Sequence, residues 1–67
     1  MTAASDLAEL STVRTLLEEL TTRIERVADG YHDTSDSAIA VDLYAAERSL
    51  VGARRSLDRA VNSLGGC

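Results

Sequence analysis

The groups in this chain that could do chemistry are few and scattered. His32 has Asp33 and Asp36 close by in sequence. That trio offers an imidazole and two carboxylates, fewer ligands than a metal site needs, on a stretch with the composition of a turn. Cys67 follows two glycines and has no cationic neighbour to lower the pKa of its thiol. A lone cysteine forms no internal disulfide, and one histidine with one cysteine does not build a structural zinc site. No glycine-rich phosphate loop, nucleophile motif or paired catalytic acid occurs. The expectation is a protein with no catalytic residue, no metal and no cofactor.

The remaining candidates are arginines. Arg48, Arg54, Arg55 and Arg59 cluster late in the chain, and Arg14 stands early. Such a group can hold an anion or a nucleotide, but it can equally pair with the acidic residues of the first half. The formal net charge is -4, which disfavours nucleic acid as a partner. Every basic residue is arginine, a usage we read as the bias of a GC-rich bacterial genome. No apolar run approaches the roughly 18 residues of a membrane span. The opening residues Met1 to Asp6 lack a basic leader region. Both point to a cytoplasmic protein that engages no membrane.

The elements that must position these residues are helices. Leu10, Val13, Leu17, Leu20, Ile24 and Val27 recur at alternating spacings of three and four, the heptad pattern of a packed helix. The first helix is predicted over about 6–29, capped by Ser5 or Thr2 and ended by Gly30 in left-handed geometry. A polar connector over 30–36 follows, and Thr34 or Ser35 is expected to cap the next helix. The second helix is predicted over about 36–64, with the stripe Ile39, Leu43, Ala46, Leu50, Ala53, Leu57, Ala60 and Leu64. Gly65 and Gly66 should terminate it, leaving a short tail to Cys67.

A connector this short forces the helices antiparallel. The fold class expected is all-α, a two-helix antiparallel coiled-coil hairpin forming a single domain. The stripes are expected to meet in one seam, with Leu7 opposite Ala60, Val13 near Ala53 and Leu20 near Ala46. Asp6 and Glu9 should lie beside Arg55 and Arg59, pairs worth about 0–1 kcal/mol each when exposed.

A chain of 67 residues buries too little surface to be robust alone, and association is the remaining source of stability. Ala40, Tyr44 and Val51 lie to one side of the predicted stripe, and Gly52 interrupts the helix at a cost of roughly 1 kcal/mol. The partner-binding surface is therefore expected at Ala40, Tyr44, Arg48, Val51, Gly52 and Arg55. The expected partner is a second copy, giving a homodimeric four-helix bundle, with a further protein partner as the alternative.

The run Leu10 to Leu17 and the run Glu47 to Arg55 are similar to stretches of actinobacterial anti-sigma factors. That resemblance implies an antiparallel coiled coil that binds cyclic di-GMP through a spaced Glu, Ser, Arg, Gln, Asp pattern on each helix. Ser11 and Arg14 fit the pattern in the first helix, and Glu47 and Arg54 fit it in the second. Leu7, Glu18 and Thr22, and Val51, Asp58 and Asn62, stand at the other positions. The resemblance adds an alternative function: a regulatory hairpin gated by a nucleotide or another anion at its arginines.

Overall fold

A computed structural model describes residues 2–65; Gly66 and Cys67, and what was expected of them, lie outside the described residues. Two helices account for the fold, α1 over Ala3–Tyr31 and α2 over Ser37–Leu64. They pack against each other as an antiparallel hairpin with principal extents of 50 × 15 × 15 Å. No strand occurs among the described residues.

Thr2 caps α1: its side-chain oxygen accepts from the Ser5 N–H at 3.1 Å. The other end runs on past the predicted stop. Gly30 stays inside α1, and His32 closes the last turn by donating its backbone N–H to the Ala28 carbonyl at 3.0 Å. The left-handed residue of the bend is Asp33, at φ 64°, a conformation that a short polar side chain tolerates. Thr34 organises the turn and does not cap α2. Its hydroxyl donates to the Tyr31 carbonyl at 2.7 Å and accepts from the Asp36 N–H at 3.2 Å. Asp36 occupies the N-cap position without a side-chain capping bond.

The seam differs from the predicted one in rotation. The rows Leu10, Leu17, Ile24 on α1 and Leu43, Leu50, Leu57 on α2 are half-buried between the helices, as expected. The second row of each helix is different. On α1 the inward residues are Thr21 and Ala28, while Leu20 and Val27 are exposed. On α2 they are Ala40, Glu47, Arg54 and Val61, while Ile39, Ala46, Ala53 and Ala60 are exposed. Ala28 and Ala40 are the two buried residues among those described, at 0% and 3% exposure. Both sit next to the bend, where a short connector holds the backbones together and only small side chains fit. Their burial fits a close approach of the backbones at this end, and a rigid helix carries the rotation set there along its length.

Candidate functional site: an open apolar face and a closed polar flank

Successive residues of a helix turn by about 100°. The rows one place before the inner rows therefore turn out of the seam: Leu20 and Val27 on α1 and Ile39, Ala46, Ala53 and Ala60 on α2 are exposed, while Val13 stays half-buried. Rotation in the same sense on two antiparallel helices carries both rows to the same side of the hairpin. Leu20 is 44% exposed, Val27 53%, Ile39 43%, and Leu16 at the rim of this side 50%. Half of each predicted stripe thus meets in the seam, and the other half turns toward an open face, where the two helices present it side by side.

The opposite flank is closed by polar contacts. The Arg14 guanidinium donates to Asp58 Oδ1 at 3.0 Å, and Arg54 lies 3.5 Å from Glu18 Oε1. Each helix carries an arginine four residues before an acid. Antiparallel packing crosses the two pairs, so that each arginine meets the acid of the other helix. These crossed pairs stand where Asp6 and Glu9 with Arg55 and Arg59 were expected; no ion pair forms between those four.

Nearer the bend, the Tyr44 hydroxyl donates to Asp29 Oδ1 at 2.6 Å. That bond, with some burial and the surrounding carboxylates, pushes the phenol pKa up to about 12. Glu47 reaches into the seam from the same flank, and its Oε2 is shielded from solvent with no hydrogen-bond partner. Burial, then the nearby Glu25 and Asp29 carboxylates, raise its pKa above the ordinary carboxylate value. The half-buried Thr21 satisfies its hydroxyl locally, on the Leu17 carbonyl at 2.6 Å.

Of the predicted partner-binding residues, Tyr44, Arg48, Val51 and Arg55 share the polar flank of α2, whereas Ala40 and Gly52 stand apart from it. Ala40 is spent inside the hairpin, and Tyr44 and Val51 are half-buried on the polar flank. Arg48 and Arg55 are exposed, at the outer edge of that flank by helical phase. Gly52 points away from α1, and a Cβ built on it would meet nothing within 4 Å. Sequence reasoning overlooked Glu47 and the crossed ion pairs. The signal was present as spacing: Glu47 and Arg54 sit four residues after Leu43 and Leu50, on the same side of the helix.

His32 contacts Asp33 through Nδ1 at 3.1 Å, on the exposed bend. Among the described residues no group of three or more metal-binding side chains is placed to hold an ion, and no helix is long and apolar enough to cross a membrane. The described residues form no pocket. No protein family, curated protein or solved structure matches this chain.

Proposed function

We propose that this protein is a non-enzymatic helical interaction module of the cytoplasm, which self-associates through its open apolar face and works by helix–helix binding. One observation carries the reading. Among the described residues no large side chain is fully buried, while Leu16, Leu20, Val27 and Ile39 stand exposed. Two helices in contact along one seam bury only part of an apolar sector this wide, and the uncovered part favours a second helical layer.

Surface area supports the same conclusion. The chain exposes 4847 Å², against about 4100 Å² expected for a compact monomer of its 7.2 kDa. The excess of about 700 Å² approaches the roughly 800 Å² that each partner contributes to a standard interface.

Light scattering on a sizing column tests the proposal. The wild-type chain should run at twice 7.2 kDa at high micromolar concentration. Leu20→Glu and Ala53→Glu, on the open face, should return it to the single-chain mass, whereas Val51→Glu on the polar flank should not. A fully helical wild-type protein at the single-chain mass overturns the reading.

A second reading has an observation of its own. Helical phase puts Arg14, Arg48, Arg54 and Arg55 on the polar flank, where an anionic ligand would displace Glu18 and Asp58 from their arginines. A cyclic dinucleotide at millimolar concentration should then raise the melting temperature. An unchanged melt removes this alternative.

A further inference from the structure

The open face has two unlike halves. α1 contributes a ridge of Leu16, Leu20 and Val27, with the half-buried Val13 beyond it, and α2 contributes Ile39 beside the bend and then a shallow row of Ala46, Ala53 and Ala60. They run side by side along a hairpin 50 Å long. Two copies can stack face to face about a twofold axis in the interface plane in two ways. An axis across the helices sets α1 on α1 and α2 on α2, with the connectors at opposite ends. Ridge then meets ridge and holds the layers apart, so the facing alanines lose contact across a gap. An axis parallel to the helices sets α1 of each copy over α2 of the other, with both connectors at the same end. Leu16 and Leu20 of each ridge then lie along the other copy's alanine row, and Val27 meets Ile39 beside the connectors.

We propose that the occupant of the open face is a second copy of this chain, docked about a twofold axis parallel to the helices. The proposal rests on the self-association argued above and adds its geometry. Charge at the rim is compatible with it. Arg23 on the α1 rim lies five residues before Ala28, and Asp42 on the α2 rim lies two residues after Ala40. The parallel axis brings the first of one copy near the second of the other. The same axis gathers both acidic connectors at one end, but those groups are exposed and screened by salt, so their repulsion is small beside the packing of the whole ridge.

Dipolar electron-resonance distance measurement on the full chain separates the possibilities. Cys67→Ser removes the native thiol, and Ser35→Cys places a nitroxide on the exposed connector. The parallel axis predicts a separation between labels of roughly 20–30 Å, from helix spacings of about 10 Å plus two label arms. A separation near or beyond the 50 Å length of the hairpin, in a sample with the mass of a dimer, overturns the docking geometry and leaves self-association standing. A sample with no dipolar coupling and single-chain mass overturns both.

Discussion

Glu47 is the residue whose environment conflicts most with its chemistry. A carboxylate oxygen held in the seam without a donor, with Glu25 and Asp29 close by, is better accommodated protonated. The sign follows from linkage. The folded state binds the Glu47 proton more tightly than the unfolded chain does. The hairpin therefore gains stability as pH falls through the range above the ordinary value of 4.5, and that gain is absent at neutral pH. Glu47→Gln should raise the melting temperature at pH 7 and flatten the rise that the wild type shows on mild acidification. Equal pH profiles for the two proteins would refute this account of Glu47. Tyr44 gives the alkaline counterpart: its folded pKa of about 12 exceeds the ordinary phenol value of 10.0, so stability should fall as pH rises through that interval. Tyr44→Phe should lack this component, read as the difference between the two proteins in denaturant titrations at pH 9 and pH 11. Neither environment is legible from residue type, because a glutamate in a charged helix reads as solvated until the rotation of the helix is known.

The two helices were legible because their apolar residues keep a helical period for their whole length, and the bend because polar residues interrupt it. The rotation was not. Each helix has an apolar sector too wide for one seam, and periodicity locates the centre of that sector without saying which edge faces the neighbour. The residues that decided the matter, Ala28 and Ala40, are weakly hydrophobic and carry little weight in a pattern of leucines. Ala28→Leu should therefore cost about 1–3 kcal/mol by overpacking the closest approach, measured by urea denaturation; a neutral result would mean that the backbones can separate at the bend. Gly52 gives the opposite expectation. Read from sequence, it marked a close approach by another helix, but open space surrounds its Cα. Gly52→Ala should stabilise the protein by roughly 1 kcal/mol without altering its mass in solution. Loss of the dimer in this variant would return the interface to the back of α2.

Taken as a whole, the hairpin has two unlike sides. Its polar flank carries crossed ion pairs and a tyrosine–carboxylate bond, while Leu16, Leu20, Val27 and Ile39 stand exposed on its apolar face. The proposed self-association couples stability to mass action, so folding should depend on protein concentration. Thermal melting followed by circular dichroism over a hundredfold range of concentration reads that dependence directly. The wild type should melt at a temperature that climbs steadily with concentration, and Leu20→Glu should melt lower, at a temperature independent of it. A wild-type midpoint that stays constant over the whole range would contradict the account, because the open face would then need no cover.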